Sequence, residues 1–187
     1  VYISPGMSCG TCDACTNNRE TFCPSYHVLG TRENGTYAEY VCVPEGNLGF
    51  LTEKLSFNEG AAVPLVFLTA WHMLVNRAEV RAGETVLVHG AGSGVGSAAI
   101  QIAKLHGARV ITTAGTDEKL DKAKALGADE TINYLSKEFT DEVRTMTGKR
   151  GVDVVFEHTG GEVLAKSLTV LGRGGRLVTC GSTTDYM

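Results

Sequence analysis

Hydrophobic residues follow a regular pattern in the second half of the chain. From residue 85 onward, short β-branched apolar runs alternate with segments whose apolar residues recur at helical spacing. The apolar runs predict five strands, at Thr85–His89, Arg109–Ala114, Glu130–Asn133, Val152–Glu157 and Arg176–Cys180. The segments between them predict helices at Val95–His106, between Thr116 and Gly127, at Phe139–Thr147 and at Val163–Leu171. This alternation is typical of a parallel sheet covered on both faces, so we predict a doubly wound α/β domain.

The first part of the chain is irregular and rich in turn residues. Asn34-Gly35, followed by the alternating run Thr36–Val43, predicts a turn that leads into a half-buried strand. Ser56 and Glu59 have the spacing of a capping box and predict the start of a helix. Because Pro64 cannot continue that helix, we expect a second one to begin there. The change of pattern places a domain boundary between residues 59 and 60, which gives the domains 1–59 and 60–187.

Charge and hydropathy restrict the partners of the chain. Lys and Arg supply 17 residues and Asp and Glu supply 21, and the net charge of −4 is spread evenly. We therefore expect neither a nucleic-acid surface nor an anionic membrane surface. The longest charge-free runs, 60–75 and 85–103, contain proline or several glycines, so neither predicts a membrane span. No basic-then-apolar leader opens the chain, and we expect a cytoplasmic protein. The strand pattern at Val1 leads us to expect further residues upstream.

Four of the six cysteines lie close together. They have the spacing C-x2-C-x2-C-x7-C, formed by Cys9, Cys12, Cys15 and Cys23. A zinc ion takes four thiolates in a tetrahedron at about 2.3 Å, and short turns between thiols supply that geometry. The spacing therefore predicts a structural zinc site whose shell is closed to substrate.

Three alternatives to zinc remain for these cysteines. Disulfides need an oxidising compartment, and no other feature of the chain suggests secretion. The first three cysteines and Cys23-Pro24 resemble a ligand set for a [4Fe–4S] cluster, but the last spacer is seven residues rather than three. Four inert core cysteines would be unusual at this density. Cys42 and Cys180 lie in strand patterns, and we expect them in the core.

A glycine-rich loop separates the first predicted strand from its helix. Glycines occupy positions 90, 92, 94 and 96, within the string VLVHGAGSGVGSAAIQIAK of residues 86–104. Such a loop lets backbone N–H groups approach a pyrophosphate at the helix N-terminus, although a tight turn with no ligand is the simpler alternative. Methyltransferases that bind S-adenosylmethionine carry an acidic residue two positions before such a run. Val88 occupies that position, which argues against this ligand.

The end of the second strand bears on the choice of cofactor. NAD-binding domains carry an acid there, which bonds the ribose 2′-hydroxyl. The sequence from Thr112 to Thr116 contains no acid, and Lys119 follows closely enough to pair with a 2′-phosphate. A solvated helix lysine is the plain alternative. We therefore favour NADP(H) over NAD(H).

Further segments accompany the cysteine cluster and the glycine loop. They are Gly35–Tyr40, Ala61–Pro64, Leu68–Trp71, Ala125–Asp129 and Ile132–Tyr134. Taken together, the motifs resemble the medium-chain dehydrogenases/reductases, the group of zinc-containing alcohol dehydrogenases and quinone reductases, along essentially the whole chain. The resemblance implies a Rossmann-type domain over 60–187. It also implies part of a mainly-β GroES-like catalytic domain with a four-cysteine zinc lobe over 1–59, and a homo-oligomer.

The resemblance also implies roles for single residues. The loop residues would hold the pyrophosphate, Thr69 would contact the nicotinamide, and Lys119 and Tyr134 would grip the 2′-phosphate. Residues 158–160 and 180–182 would line the rest of the cleft through backbone groups. The implied cofactor-binding residues are therefore Thr69, Ser93, Gly94, Val95, Gly96, Lys119, Tyr134, Thr159 and Gly181.

One departure from the family pattern concerns the catalytic metal. Members with catalytic zinc take one ligand from a cysteine at the position of Leu65, which cannot ligate a metal. The other ligands and the substrate-contacting residues are expected upstream of Val1. His27, His72, His89 and His106 lack metal-ligand spacing, and we expect them to be structural or exposed.

The sequence thus predicts an NADP(H)-dependent oxidoreductase without catalytic zinc. It would transfer a hydride between nicotinamide and a small carbonyl-, enone- or quinone-type substrate. One alternative is a zinc-dependent alcohol dehydrogenase whose ligands lie upstream. The other is a non-catalytic module that binds zinc and a nucleotide.

Overall fold

The chain forms two compact units. A computed structural model describes residues 1–184, and it divides the chain into Val1–Leu65 and a second unit that begins at Val66. None of the helices in those residues is long and apolar enough to cross a membrane.

The first unit consists mainly of turns and loops. Its strands and α-helices are β1 (Tyr2–Ile3), β2 (Gly6–Met7), α1 (Asp13–Thr16), β3 (His27–Val28), β4 (Leu48–Gly49) and α2 (Phe57–Ala62), and short 3-10 helices lie at Glu20–Phe22 and Glu45–Asn47. The strands pair antiparallel, β1 with β4 and β2 with β3. The capping box is confirmed, since Glu59 N–H donates to Ser56 Oγ at 3.3 Å and Ser56 N–H donates to the Glu59 carboxylate at 2.9 Å.

The strand predicted over Thr36–Val43 is wrong. This segment has no regular structure, and Tyr37 and Tyr40 are fully exposed. A strand needs a neighbour to receive its backbone hydrogen bonds, and no strand within residues 1–184 pairs with this segment. The prediction of buried Cys42 and Cys180 is also wrong, because both residues are exposed. Cys42 lies in the segment without regular structure, and Cys180 lies just beyond the end of a strand.

The second unit is the predicted doubly wound α/β domain. Its helices are α3 (Pro64–Trp71, which starts in the first unit), α4 (Gly94–Leu105), α5 (Asp117–Ala125), α6 (Phe139–Met146) and α7 (Gly161–Leu168), and a π-helical turn follows α3 at His72–Arg77. Its strands are β5 (Thr85–Val88), β6 (Arg109–Ala114), β7 (Glu130–Asn133), β8 (Val152–Glu157) and β9 (Leu171–Thr179). The last helix ends three residues earlier than predicted, and β9 begins at Leu171.

The five strands are parallel and stand in the order β7-β6-β5-β8-β9. The chain runs outward in one direction from β5 to β7, and it then returns to the other side of β5 with β8. The carboxyl ends of β5 and β8 therefore meet where the winding direction reverses. In open α/β sheets, ligands bind in the crevice outside the strands at this switch point.

Alternate residues of the strands build a core on each face of the sheet. Val86 and Val88 pack in the cluster that contains the buried face of α4, while Leu87 lies on the opposite face with Phe139 and Val143 of α6. The central strand is buried along its whole length. Both faces of the three inner strands are thus covered, and ligands can reach the sheet at the carboxyl ends of its strands.

Candidate functional site

The glycine loop lies between β5 and α4. Ser93 is the N-cap of α4, and its Oγ accepts a hydrogen bond from the Gly96 N–H at 2.9 Å. A Cβ built on Gly96 would lie 2.2 Å from the Gly90 carbonyl oxygen, so the helix contacts the loop backbone without room for a side chain. Gly94 and Val95 begin the helix, and their N–H groups have no carbonyl partner one turn earlier. This arrangement can receive an anion at the helix N-terminus.

Two histidines lie beneath and beside the loop. His89 is buried, with Nδ1 3.2 Å from Thr113 Oγ1 and Nε2 2.9 Å from Ser167 Oγ. Burial, together with the nearby His158, lowers the pKa of His89 to about 4, so the ring is neutral at pH 7. His158 follows β8 directly, and its Nε2 is 3.1 Å from Ser93 Oγ. The expectation that His89 is structural agrees with its buried position.

Lys119 and Tyr134 lie on the two sides of the β6 carboxyl end. A Cβ on Gly92 would be 2.9 Å from Lys119 Cδ, so the lysine stem lies against the loop. A Cβ on Gly115 would be 2.8 Å from the Tyr134 hydroxyl oxygen, which lies over the residue after β6. The nearest acid along the chain, Asp117, accepts a hydrogen bond from Asn133 Nδ2 at 2.9 Å. The tip of β6 is thus bordered by a cation and a phenol.

The loops after β8 and β9 are tied to each other. The Thr159 carbonyl oxygen accepts hydrogen bonds from the N–H groups of Thr183 and Thr184, at 3.0 and 2.9 Å. The buried Glu157 accepts the N–H groups of Thr159 and Gly160 at 2.6 and 2.8 Å. Thr159 and Gly181 therefore lie on neighbouring loops at the carboxyl edge of the sheet.

A mainly apolar cavity of about 420 Å³ opens at this edge. The residues that line it come from the ends of β5, β6, β7 and β8, from α6 and α7, and from the loop after β9: His89, Gly90, Thr113, Tyr134, Phe139, His158, Thr159, Val163, Thr183 and Thr184. A cavity of this size and lining is typical of a small-molecule site. Among the predicted cofactor residues it contains Tyr134 and Thr159.

Thr69 is connected to the glycine loop through a neighbouring residue on its own helix. It lies on α3, one turn after Val66, whose Cγ1 would be 2.8 Å from a Cβ on Gly94. Residues three apart share a helix face, so Thr69 is on the face of α3 that contains the contact with the start of α4.

The sequence does not reveal the roles of two side chains in the site, those of His158 and Glu157. His158 was expected to act through its backbone, yet its side chain contacts the loop, and Glu157 was read only as the end of a strand. The signal for both was available: polar residues at the carboxyl end of an otherwise apolar parallel strand lie at the ligand edge of the sheet.

The four cysteines form a compact cluster in the first unit. Their sulfur atoms all lie within 4.8 Å of one another, with 3.5 Å between Cys12 and Cys15 and 3.9 Å between Cys9 and Cys15. Four thiolates around one zinc ion stand about 3.8 Å apart, from the Zn–S distance and the tetrahedral angle. All six cysteines are free in this structure. The donor set and spacing of the cluster fit zinc.

Hydrogen bonds to sulfur prepare the cluster for a cation. The N–H of Thr11, followed by that of Cys12, lowers the pKa of Cys9 to about 6. At Cys12 the Cys15 N–H acts to lower the pKa, but the Cys15 thiol and burial outweigh it and raise the pKa to about 11. The lowered pKa of Cys9 and the raised pKa of Cys12 mean that Cys9 ionises more easily than Cys12. Metal binding at such a cluster releases protons.

Two family sequence models match the chain in succession. One, described as "Alcohol dehydrogenase GroES-like domain", matches residues 1–53, and another, described as "Zinc-binding dehydrogenase", matches residues 94–186. The first match lies in the first unit and the second match in the second unit, which is the order that the motifs imply.

Individual proteins agree with the family models. The chain is 36% identical to a human quinone oxidoreductase over 181 residues, which are 96% of this chain and 55% of the relative. A solved structure described as an NAD-dependent alcohol dehydrogenase is 52% identical, with a TM-score of 0.95 over 98% of this chain and 54% of that one. A quinone oxidoreductase from Pseudomonas syringae is 38% identical, with a TM-score of 0.68 over 75% and 43%.

The chain spans about half the length of these relatives. Within that span, both domain types, their order and the parallel five-stranded sheet agree with the motifs. The chain belongs to the medium-chain dehydrogenase/reductase family.

Proposed function

We propose that the chain binds a nicotinamide dinucleotide in its second unit and forms part of an oxidoreductase that transfers a hydride to or from a small carbonyl-, enone- or quinone-type substrate. The observation that carries this proposal is the glycine loop at the switch point. It presents the N-terminus of α4 beside the 420 Å³ cavity, at the edge of the sheet where α/β domains bind ligands.

The dinucleotide would lie across the carboxyl edge of the sheet. The N–H groups of Gly94 and Val95, at the positive end of the α4 dipole, would bind the pyrophosphate, with Ser93 and Gly96 shaping that end of the helix. The adenosine half suits the apolar cavity. Thr69, on the helix that contacts Gly94, would meet the nicotinamide, and backbone groups of Thr159 and Gly181 would line the remaining cleft.

The phosphorylated cofactor, NADP(H), suits the tip of β6 better than NAD(H). No acid stands at the tip to bond a free 2′-hydroxyl, Asp117 is engaged by Asn133, and Lys119 and Tyr134 flank the position. A lysine and a phenol can both donate to a phosphate oxygen. A solved relative described as NAD-dependent is 52% identical to the chain over the matched region, and a direct comparison of the two cofactors tests the preference.

Zinc would have a structural role. Four thiolates close the coordination shell of the ion and hold the loop between Cys9 and Cys23 in place. Catalytic zinc is not proposed, because Leu65 occupies the position of a cysteine ligand in the family members that have it.

The reaction would depend on residues outside the chain as well as within it. When bound, the nicotinamide supplies the hydride chemistry, while the residues of the second unit bind and orient the dinucleotide. We further propose domains over 1–59 and 60–187, a homo-oligomeric protein and a cytoplasmic location. A zinc-dependent alcohol dehydrogenase and a non-catalytic nucleotide-binding module remain the rival proposals.

The test is a binding and turnover assay on the 187-residue chain. We expect NADPH to bind and to quench Trp71, the one tryptophan of the chain. We expect no turnover of quinones or enones, because substrate-contacting residues are expected elsewhere. Absence of any dinucleotide binding would contradict the proposed function, and binding without turnover in the longer protein would favour the non-catalytic module.

A further inference from the structure

The hydrogen bonds of His158 fix the position of its proton. Its Nε2 lies 3.1 Å from the His89 carbonyl oxygen and 3.1 Å from Ser93 Oγ. A backbone carbonyl only accepts hydrogen bonds, so Nε2 must carry a hydrogen, which it shares between the two oxygens. In the opposite tautomer, the unprotonated Nε2 and the His89 carbonyl oxygen would be two acceptors 3.1 Å apart with no hydrogen between them.

This arrangement also determines the direction of the Ser93 hydroxyl. A hydroxyl has two lone pairs and one proton. The lone pairs of Ser93 Oγ are taken by the Gly96 N–H, at 2.9 Å, and by His158 Nε2–H. The Ser93 proton therefore points away from both donors, and none of the residues in 1–184 accepts it.

The hydroxyl stands at a helix end that is ready for an anion. Ser93 caps a twelve-residue helix, and the N–H groups of Gly94 and Val95 begin that helix. Ser93 and His158 are both partly exposed at the switch point of the sheet. A hydroxyl that donates here adds an O–H···O⁻ bond, which is shorter and stronger than a bond to a neutral acceptor.

We propose that His158 is a positioning residue for dinucleotide binding: it holds the Ser93 hydroxyl as a hydrogen-bond donor toward the pyrophosphate. This inference rests on the proposed function. The cap itself does not need the imidazole, because Ser93 Oγ receives the Gly96 N–H directly. Without His158, a lone pair of Ser93 Oγ is free, and the hydroxyl can turn its proton to water instead of the anion.

The His158 imidazole approaches the backbone of the loop closely at Gly90. Gly90 has φ +64°, and a Cβ there would lie 3.0 Å from His158 Nε2. The glycine thus permits both the left-handed turn and the close approach of the ring.

The test compares two ligands that differ in the pyrophosphate. ADP-ribose and adenosine are titrated into the 187-residue chain and into His158→Leu and His158→Gln by calorimetry. Leucine removes the donor, whereas the glutamine amide places an N–H near the position of Nε2. We expect His158→Leu to weaken ADP-ribose about tenfold and adenosine less than about twofold, and His158→Gln to restore most of the ADP-ribose affinity.

A Ser93→Ala background supplies the second measurement. If His158 acts through the Ser93 hydroxyl, adding His158→Leu to Ser93→Ala causes no further loss of ADP-ribose affinity. The reason is that Ser93→Ala has already removed the hydroxyl that His158 positions. Equal losses for ADP-ribose and adenosine, additive losses in the double variant, or unchanged affinity in His158→Leu would each overturn the inference while the proposed function stands. Failure of the parent chain to bind ADP-ribose would overturn both.

Discussion

The buried carboxylate of Glu157 accepts the backbone N–H of Gly160 at 2.8 Å, three residues further along the chain. The same oxygen accepts the N–H of Thr159 at 2.6 Å. The Glu157 side chain, at the end of β8, therefore accepts the two N–H groups of the turn in place of backbone carbonyl groups. The loop that contains His158 is held in place by this carboxylate.

Replacement of Glu157 by alanine should destabilise the second unit strongly. The N–H groups of Thr159 and Gly160 would lose their acceptor, and we expect the free energy of unfolding to fall by about 3 kcal/mol. Urea unfolding followed by Trp71 fluorescence measures this, because Trp71 lies in the second unit. Glu157→Gln is the matched control: it keeps an acceptor oxygen and should lose less than half as much. Equal losses in the two variants would contradict the assigned role.

Acidification should destabilise the same unit through His89. The pKa of this histidine is about 4 in the folded chain, compared with its ordinary 6.5, so the unfolded chain binds the extra proton between these values. Stability is fully present above pH 6.5 and is lost as the pH falls toward 4, by about 2 kcal/mol at pH 5. The measurement is urea unfolding at pH 7.5 and pH 5.

The control for His89 is a variant that does not titrate. His89→Gln keeps a donor and an acceptor for Ser167 and Thr113, and its unfolding should depend on pH by about 2 kcal/mol less than that of the parent chain over this interval. An identical pH dependence in both proteins would show that His89 is not the group responsible.

Substitution of Gly96 should disrupt the start of α4. In Gly96→Ala the new Cβ would stand 2.2 Å from the Gly90 carbonyl oxygen, and backbone would have to move. We expect a loss of about 2 kcal/mol or more in unfolding free energy. Gly92→Ala is the control from the same loop. Its Cβ would meet only the flexible stem of Lys119, so its stability should change by less than about 0.5 kcal/mol. Similar losses in both variants would argue against the close loop–helix contact.

Loss of one buried cysteine should remove the metal. We expect about one zinc ion per chain by atomic absorption, and little or none in Cys15→Ser. Cys42→Ser is the control, because Cys42 is exposed and lies outside the cluster. Iron with visible absorption, or full zinc content in Cys15→Ser, would contradict the zinc proposal.

The α/β unit could be predicted closely from the sequence because its signals are local. The buried strands at Arg109–Ala114 and Val152–Glu157 have the predicted bounds, since their apolar and β-branched residues are the expected signal of such strands. The half-buried strand Glu130–Asn133 also has the predicted bounds. The end of α7 was missed by three residues. Val170 and Leu171 are apolar in a strand as well as in a helix, and the pairing of β9 with β8 decides between them.

The irregular unit and the site contacts were harder to predict. The alternation over Thr36–Val43 is a true feature of the sequence, but a strand forms only beside a partner, which local pattern does not reveal. The contact between Ser93 and His158 joins residues 65 positions apart and depends on β8 lying next to β5. Sequence order alone does not give that adjacency.

The central claim is that the second unit binds a nicotinamide dinucleotide and favours the one with a 2′-phosphate. The most direct measurement compares the dissociation constants of NADPH and NADH for the 187-residue chain, for Lys119→Ala and for the control Lys122→Ala, whose side chain pairs with Glu118 on the same helix. We expect NADPH to bind about tenfold more tightly than NADH, and this preference to disappear in Lys119→Ala but to persist in Lys122→Ala. Equal or tighter binding of NADH by the parent chain would contradict the 2′-phosphate preference, and binding of neither would contradict the account as a whole.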